Sequence, residues 1–503
     1  MSEPYYITTA ISYPNGPPHI GHAYEAIAAD VIARFQRSQG RDVRFQTGTD
    51  EHGLKMAQAA RAEGVEPLAF ADKMSRLFQH MCDDLDVSYD RFIRTSDPAH
   101  HRASQAIWSA MAEKGDLYLG RYEGWYSVRD EAYYDESELV VGEGGEKLSP
   151  QGTPVEWTVE ESWFFRLSAY QDKLLAHYEA NPSFIRPESR RNEIVRFVEG
   201  GLSDLSISRT SFDWGVKAPG SEGHVMYVWL DALTNYITGL GYPDDTELWR
   251  RYWPADVHLI GKDVVRFHTV YWPAFLMSAG IELPKQVYGH GFLLSRGEKM
   301  SKSIGNVVDP FVLADRFGVD QLRYFLMREV TFGQDGTYSA EAIVNRVNAE
   351  LANSFGNLAQ RALSMIYKNL GGVIPAAGQD KSDIELLQKV DAAVEDLTSR
   401  FSDFSFSTGL EAWMAAVFAC NAYIDTAAPW ALRKSDPERM ADVLGTLVMA
   451  IRKLAEAVVP VIPTSAEKLI RTIDDGMSGG LSQPTPIFPR LELPEEEEEG
   501  AAA

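Results

Sequence analysis

Two histidines at a spacing of three, His19 and His22, form the first group in the sequence that could do chemistry. An extended apolar run at residues 5–9 and a turn-rich segment with three prolines precede them. After them, apolar residues recur at every fourth position, which predicts a helix with one buried face that ends at Gly40. A strand, a tight turn and a helix N-terminus form an anion site, because free backbone N–H groups and the helix dipole point at the turn. We therefore expect this turn to bind phosphate.

A second reactive group lies far downstream, after a strand-like run and Gly297. It consists of two lysines, a methionine and two serines: Lys299, Met300, Ser301, Lys302 and Ser303. Positive charges and hydroxyls in a loop can close over a triphosphate and stabilise the charge that develops during transfer. The sequence has no P-loop motif and no G-x-G-x-x-G after the first strand, which excludes a P-loop NTPase and leaves dinucleotide binding without support. Together the two groups predict attack at a nucleotide phosphate.

The composition limits the partners and the compartment. Lys and Arg number 48 against 72 Asp and Glu, a net charge of −24. Nonspecific coating of nucleic acid relies on phosphate neutralisation by basic residues, so the charge argues against it while leaving room for a local basic face. No window of about 18 apolar residues predicts a membrane helix, and residues 1–4 do not begin a signal peptide. We expect a cytoplasmic protein with no membrane contact.

Three smaller features carry further predictions. Cys82 and Cys420 lie far apart in apolar helical patterns, so we expect two buried hydrophobic residues rather than a disulfide framework or a C-x-x-C zinc site. Five glutamates at residues 495–499 predict a solvated, disordered tail. For one basic cluster, a solvated helix face and an RNA-facing surface both remain open. Its members are Arg186, Arg190, Arg191 and Arg196.

The order of the patterns predicts the fold. Strands and helices alternate to about residue 115, which indicates a Rossmann-like parallel α/β sheet. Aromatic residues, acids and short alternating runs then predict an inserted α+β connective domain, after which residues 225–232 and 286–294 are predicted to be further strands. From about residue 309 onward, long amphipathic segments predict an all-α bundle. A chain of 503 residues has room for two to four domains.

The two reactive groups resemble the signature motifs of the class I aminoacyl-tRNA synthetases. The first signature matches His19-Ile20-Gly21-His22, and the second matches residues 299–303. A third marker, the Ile-Ser-Arg…Trp-Gly segment of their aliphatic subgroup, resembles residues 204–215. Both signatures in order, across a split α/β sheet with a helical C-terminal region, make the resemblance specific.

Within that class the chain resembles the methionyl-tRNA synthetases over roughly residues 4–475. Their amino-acid pocket resembles residues 10–13, 49–53, 229–236 and 261–268. The resemblance implies ligation of L-methionine to tRNA(Met), with ATP and Mg²⁺, through a methionyl-adenylate. It also implies six segments. These are the first half of the catalytic domain (1–115), a connective insertion (116–223), the second half (224–297), the lysine loop with a stem-contact region (298–339), a helical anticodon-binding domain (340–485) and the acidic tail (486–503).

The resemblance also implies roles for individual residues. The catalytic residues would be His19, His22, Lys299 and Lys302. The ATP contacts would be Gly21, Asp263, Met300, Ser301 and Ser303. The methionine contacts would be Ala10, Ile11, Tyr13, Asp50, Trp229, Ala232, Tyr236, Val264 and His268. The anticodon contacts would be Asn357, Arg361 and Trp430.

By residue type alone, plainer interpretations remain open for several of these positions. Trp229 and Trp430 could be core residues, His268 a satisfied core histidine and Asp50 a helix cap. Asn357 and Arg361 could form a solvated helix face.

Two departures from the family pattern carry predictions. Many methionyl enzymes have cysteine-bound zinc knuckles in the insertion, and residues 116–223 contain no cysteine, so no structural zinc is expected. The tail replaces a C-terminal tRNA-binding or dimerisation module, so a monomer is expected. Three different functions remain open: another class I synthetase (for valine, isoleucine, leucine or cysteine), a small-molecule nucleotidylyltransferase, and an RNA-binding paralogue without catalysis. Only about 100 residues are available for an editing domain, which argues against valine, isoleucine and leucine.

Overall fold

The computed structural model describes residues 2–130, 132–142, 144–295, 298–300 and 307–493. The described chain forms two compact units. The first comprises residues 2–29, 36–83 and 87–290, and the second comprises residues 30–35, 84–86 and the described residues from 291 onward. The finer division into six segments stays a prediction.

The first unit contains the strands on which the candidate site is built. They are β1 (Pro4–Thr9), β2 (Asp42–Thr49), β3 (Arg91–Arg94), β4 (Leu117–Ser127), β5 (Ala132–Tyr134), β6 (Val140–Val141), β7 (Lys147–Leu148), β8 (Glu156–Phe165), β9 (Ile185–Arg186), β10 (Leu205–Ser206), β11 (Ser208–Arg209), β12 (Val225–Met226), β13 (Val257–Gly261) and β14 (Val287–His290).

Helices connect these strands. They are α1 (Ile20–Ser38), α2 (Leu54–Glu63), α3 (Pro67–Asp84), α4 (Pro98–Glu113), α5 (Gln171–Ala180), α6 (Glu188–Glu199), α7 (Val228–Thr238), α8 (Glu247–Tyr252) and α9 (Trp272–Ala279). A 3₁₀ turn at Lys262–Val264 and a π-helix at Phe267–Tyr271 lead into α9.

The central sheet has the strand order β3-β2-β1-β13-β14-β9, and every neighbouring pair is parallel. β1 lies in the middle, where Tyr6 and Ile7 are fully buried. Parallel sheets are covered on both faces, which explains why the middle strands β1 and β13 are buried along almost their whole length. The predicted parallel α/β fold, divided by an insertion, is confirmed.

The insertion has its own antiparallel sheet, with the order β10-β8-β4-β5, and two helices, α5 and α6. Its strand β9 does not belong to that sheet. Instead, Ile185 and Arg186 pair in parallel with Val287 and Tyr288 of β14, at the edge of the central sheet. The inserted segment therefore supplies a strand to the sheet that it divides, which the sequence patterns did not predict.

Two predicted strands differ from the structure. Residues 225–232 are extended only as β12, and α7 begins at Val228. Almost every residue of α7 is buried, so its sequence lacks the polar face by which a helix is usually recognised. Residues 286–294 form two strands in different sheets, one ending at His290 and the other beginning at Leu293, with Gly291 between them. There the backbone approaches that of Gln334 so closely that a Cβ would lie 2.2 Å from its carbonyl carbon.

The second unit is mainly helical. Its strands are β15 (Leu293–Ser295), β16 (Glu298–Lys299) and β17 (Gly336–Tyr338), and its helices are α10 (Pro310–Phe317), α11 (Val319–Glu329), α12 (Ala340–Arg346), α13 (Asn357–Asn369), α14 (Lys381–Ser402), α15 (Phe406–Ala427), α16 (Pro429–Ser435), α17 (Pro437–Val458) and α18 (Pro463–Met477). A π-helix at Val347–Gly356 joins α12 to α13. The predicted all-α C-terminal region is confirmed.

Two further predictions can be compared with the described residues. Cys82 and Cys420 are both buried, and neither forms a disulfide bond. None of the described helices is long and apolar enough to cross a membrane.

Candidate active site

The two histidines lie at the start of α1, with their rings stacked at a centroid distance of 3.8 Å. The Nδ1 atom of His22 accepts a hydrogen bond from the His19 N–H at 3.1 Å, and the Nδ1 atom of His19 accepts one from the Gly21 N–H at 3.0 Å. Because both Nδ1 atoms are acceptors, each neutral ring carries its proton on Nε2. The turn therefore carries imidazole N–H groups that can donate hydrogen bonds to phosphate oxygens.

Gly21 has a local structural reason to be glycine. A Cβ at this position would lie 2.9 Å from Cε1 and 3.0 Å from Nδ1 of the His19 ring. The His19 ring can therefore fold back over the first turn of α1 only because residue 21 has no side chain.

The segment after β1 lies between the ends of two neighbouring strands. Ala10 donates its N–H to the Leu259 carbonyl at 3.0 Å, and Ser12 donates to the Gly48 carbonyl at 3.0 Å. Asp50 then donates its N–H to the Ser12 carbonyl at 2.9 Å, and its side chain is largely buried. Ligands of doubly wound sheets bind at this carboxyl edge of the strands. The N-cap of α2 is Gly53, so the interpretation of Asp50 as a helix cap is wrong.

The loop that carries Asp50 is fixed by its other residues. The fully buried Glu51 carboxylate accepts two hydrogen bonds from Arg94, at 2.7 and 3.0 Å. Trp214 donates its indole N–H to the Glu51 carbonyl at 2.6 Å and accepts the Gly53 N–H at 3.2 Å. Trp214 belongs to the Ile-Ser-Arg…Trp-Gly segment, which therefore binds this loop at two points, Glu51 and Gly53.

Several predicted methionine contacts share one hydrophobic cluster. Ala10, Tyr13, Trp229 and Val264 pack against the buried core that includes Tyr236. Two further predicted contacts lie outside this cluster: Ala232 is buried on α7, and Ile11 is half-buried next to Ala10.

His268 is a neutral, hydrogen-bonded histidine. Its Nδ1 lies 2.9 Å from the Val264 carbonyl and its Nε2 lies 2.6 Å from the Tyr236 hydroxyl. The carbonyl can only accept, so Nδ1 carries the proton and Nε2 accepts from Tyr236. Burial lowers the pKa of His268 to about 4, although the hydrogen bond to Val264 opposes the shift. The structure brings these three predicted contacts together.

The geometry adds three residues that the sequence patterns did not single out. Phe267 stacks on Trp229 at a centroid distance of 3.7 Å. His290, at the end of β14, lies 2.8 Å from the Glu25 carboxylate. Burial raises the pKa of Glu25, the contact with His290 opposes this, and the charge of Asp263 adds to the rise. A signal existed for two of them, because Glu25 follows His22 by one helical turn and Phe267 directly precedes His268.

The predicted anticodon contacts lie together on the surface of the second unit. The Arg361 guanidinium lies 5.4 Å from the Trp430 ring centroid, and it pairs with Asp425 at 2.7 Å. Trp430 is 50% exposed, so the core interpretation of this residue is wrong. Asn357 is exposed one turn before Arg361 on α13. Trp430 itself lies in the first turn of the short helix α16.

The basic cluster of the insertion makes contacts within the protein. Arg190 pairs with Glu193 at 2.9 Å, and Arg191 donates to the Tyr178 carbonyl at 3.2 Å. Arg186 lies over the ring of Tyr288. These three arginines therefore contact the protein itself, and the choice between a solvated helix face and an RNA-facing surface stays open.

The second reactive group lies partly outside the described residues. Lys302, Ser301 and Ser303 are outside them, as are residues 495–499. Lys299 is described through its backbone in β16, which pairs with β15, and Met300 follows it. Within the described ranges, no three His, Cys, Asp or Glu side chains form a group that could hold a metal ion.

A parallel sheet with an H-x-G-H turn at its first helix, followed by a helical C-terminal region, defines a class I aminoacyl-tRNA synthetase. Residues 5–363 match the family model described as tRNA synthetases class I (M), and residues 374–481 match the anticodon binding domain of methionyl tRNA ligase. The chain belongs to the methionyl-tRNA synthetase family, and its function is methionine–tRNA ligation. This excludes a synthetase for another amino acid, a small-molecule nucleotidylyltransferase and a paralogue that only binds RNA.

Individual relatives match along nearly the whole chain. The methionine–tRNA ligase of Brucella suis biovar 1 is 58% identical over 504 residues, which cover 97% of this chain and 98% of the relative. That of Mycobacterium tuberculosis H37Rv is 55% identical over 513 residues, with 98% and 99% covered. The solved Mycobacterium tuberculosis methionyl-tRNA synthetase in complex with methionyl-adenylate superposes with a TM-score of 0.94 at 55% identity, over 97% of this chain and 100% of that one.

Proposed function

We propose that methionyl-adenylate forms at the carboxyl edge of the central sheet, between Asp50 and the turn of His19 and His22. The observation that carries this proposal is the hydrogen bond from the Asp50 N–H to the Ser12 carbonyl at 2.9 Å. This backbone bond holds Asp50, whose carboxylate is buried, beside the segment that leads from β1 into the histidine turn. A carboxylate suits the α-ammonium of an amino acid, and the turn suits phosphate, so the reacting groups meet between them.

In the first step, a carboxylate oxygen of methionine attacks the α-phosphorus of ATP, and the bond to the pyrophosphate leaving group breaks. The Nε2–H groups of His19 and His22 donate to phosphate oxygens whose charge rises in the transition state. Lys299 and Lys302 supply positive charge to the triphosphate, while Gly21, Asp263, Met300, Ser301 and Ser303 contribute ATP contacts. Mg²⁺ accompanies ATP and is bound chiefly through its phosphates, as this ion usually is.

The methionine side chain lies against the cluster of Tyr13, Trp229, Val264 and Tyr236, with Ala10, Ile11, Ala232 and His268 beside them. A flexible thioether gains about 0.3–1.5 kcal/mol from each contact with an aromatic ring. The neutral state of His268 fits this role, because an imidazolium would be costly next to an uncharged side chain. In the second step, the terminal ribose hydroxyl of tRNA(Met) attacks the adenylate carbonyl and AMP leaves.

The anticodon of tRNA(Met) binds to the surface formed by Asn357, Arg361 and Trp430. Arg and Asn can hydrogen-bond to base edges, and an exposed indole can stack an unpaired base. The half-exposed Trp430 beside Arg361 supports this assignment.

Pyrophosphate exchange with each of the twenty amino acids tests the proposed activation step. Methionine alone should support exchange, and Asp50→Asn should raise the KM for methionine far more than the KM for ATP. Equal increases in both KM values would contradict the role of Asp50.

We also propose a cytoplasmic monomer without structural zinc. Light scattering should give the mass of one chain, and a dimer mass would contradict the proposal. Metal analysis should find no stoichiometric zinc, because a thiolate-bound knuckle requires cysteines that residues 116–223 lack.

A further inference from the structure

Asp231, in the first turn of α7, is a fully buried carboxylate between two imidazoles. Its Oδ2 lies 2.6 Å from Nδ1 of His52, and its Oδ1 lies 2.6 Å from Nε2 of His100. His52 belongs to the loop that carries Asp50, and His100 belongs to α4. One carboxylate thus joins the loop and two helices of the first unit.

The charge of Asp231 follows from these neighbours. Burial alone would raise the pKa of the carboxyl group. The charges and hydrogen bonds of His52 and His100 outweigh burial and hold the pKa of Asp231 well below its usual range. The residue is therefore an ionised acceptor that uses both oxygens, and this is a role that only a carboxylate can fill.

The link through His52 reaches two candidate substrate contacts. The His52 carbonyl accepts a hydrogen bond from the Tyr13 hydroxyl at 2.7 Å. Asp50 lies two residues before His52 on the same loop. Other hydrogen bonds hold this loop at Asp50, through Ser12, and at Glu51 and Gly53, through Arg94 and Trp214. Asp231 is the anchor that joins the loop to α7, which also carries Trp229, Ala232 and Tyr236.

We propose that Asp231 is a positioning residue for the amino acid: by holding His52, it sets the Asp50 carboxylate against the α7 side of the methionine pocket. It touches neither substrate. This inference rests on the proposed role of Asp50 in binding the α-ammonium group. No local sequence pattern predicts this role, because 48 positions separate His52 from His100 and 131 separate His100 from Asp231.

The test replaces Asp231 by asparagine, which keeps the shape but offers one acceptor oxygen instead of two. A misplaced loop should raise the dissociation constant for methionine between about tenfold and about a hundredfold. The KM for ATP should stay within about twofold of the wild type. Two analogues locate the loss. Methioninol, which keeps the ammonium, should weaken in step with methionine, whereas 4-(methylsulfanyl)butanoate, which lacks it, should bind as to the wild type. Equal weakening of both analogues, or of neither, would overturn the proposal.

A matched control is Asp116→Asn. Asp116 also accepts two side-chain donors, Tyr170 at 2.5 Å and Ser278 at 2.6 Å, and neither of these partners is a candidate substrate contact. This variant should lose thermal stability but keep its affinity for methionine. If Asp231→Asn fails to fold, His52→Asn and His52→Leu replace it. Asparagine retains a donor at the position of Nδ1 and should restore methionine binding, and leucine should not. Normal binding by His52→Leu would overturn the proposal.

The failure of this inference differs from the failure of the proposed function. Asp50→Asn alone tests the ammonium site, and if it leaves methionine affinity unchanged, both ideas fall. If Asp50→Asn weakens methionine binding and Asp231→Asn does not, only the inference falls. Because Asp231 acts through Asp50, adding Asp231→Asn to Asp50→Asn should weaken methionine binding further by at most about twofold. Fully additive losses would contradict that route.

Discussion

Replacing His22 by asparagine or by glutamine separates the two contacts that this side chain is suited to make. Asparagine can place a carbonyl oxygen near the position of Nδ1 and so keep the hydrogen bond from the His19 N–H, which the structure has at 3.1 Å. It has no group at the position of Nε2. Glutamine does the opposite, because its amide nitrogen reaches the position of Nε2 and its geometry does not reproduce the Nδ1 acceptor.

The two variants should change different quantities, kcat in one and the free energy of unfolding in the other. Loss of one donor to the transition state should lower kcat for pyrophosphate exchange by about 10²–10³ in His22→Asn, equivalent to about 2.7–4 kcal/mol. Loss of the hydrogen bond at the start of α1 should lower the free energy of unfolding by about 1 kcal/mol in His22→Gln. His22→Asn should therefore be stable and slow, and His22→Gln less stable and faster.

The assay is steady-state pyrophosphate exchange at saturating methionine and ATP, with urea unfolding of the same preparations. His177→Asn is a control, because His177 also accepts an N–H at Nδ1, from Asn181 at 3.1 Å, but lies on α5 and is not among the candidate site residues. If both His22 variants lose the same factor in kcat, the assignment of Nε2 as the phosphate donor is refuted. A slow His177→Asn variant would show that the assay reports general damage.

Further predictions concern the other parts of the protein. Lys302→Ala should slow adenylate formation in a single turnover much more than it weakens methionine binding, and equal losses would contradict its assigned role. Trp430→Ala should raise the KM for tRNA(Met) between about fivefold and about a hundredfold, with methionine activation unchanged, while Trp430→Phe retains most of the stacking; an unchanged KM in Trp430→Ala would exclude a stacked base. Burial lowers the pKa of His268 to about 4 in the folded protein. As the pH drops below about 6.5, the unfolded chain binds a proton at His268 and the folded chain does not, so the free energy of unfolding falls between about pH 6.5 and about pH 4. His268→Gln should remove up to about 3 kcal/mol of this pH dependence in urea unfolding at pH 7 and pH 4.5, and an unchanged pH profile would show that His268 is not buried as a neutral group.

The sequence predicted those features whose determinants are contiguous. The strand, turn and helix around His19 and His22 are local, and β1 and α1 were predicted from one stretch of residues. The pocket of Trp229, Val264 and His268 could be assigned only by resemblance, because these residues meet through the fold. α7 was mistaken for a strand since burial on all sides removes its amphipathic period.

Other features depend on pairings that no local pattern encodes. β9 has two residues and joins β14 a hundred positions later. The carboxylate of Asp231 meets His52 and His100 only after three separate elements have packed. Short apolar segments and isolated histidines are too common for their partners to be chosen without the tertiary structure.

The position of β1 in the middle of the central sheet has a consequence for synthesis of the chain. One edge of β1 pairs with β2, which follows within about fifty residues, but Ile7 on its other edge pairs with Val257 of β13. At a translation rate of about 5–20 residues per second, that edge stays unpaired for roughly 10–50 s after it is made. An unpaired apolar strand edge is a template for wrong pairing with another chain. The strand beside which the active site is assembled is thus among the first made and among the last completed.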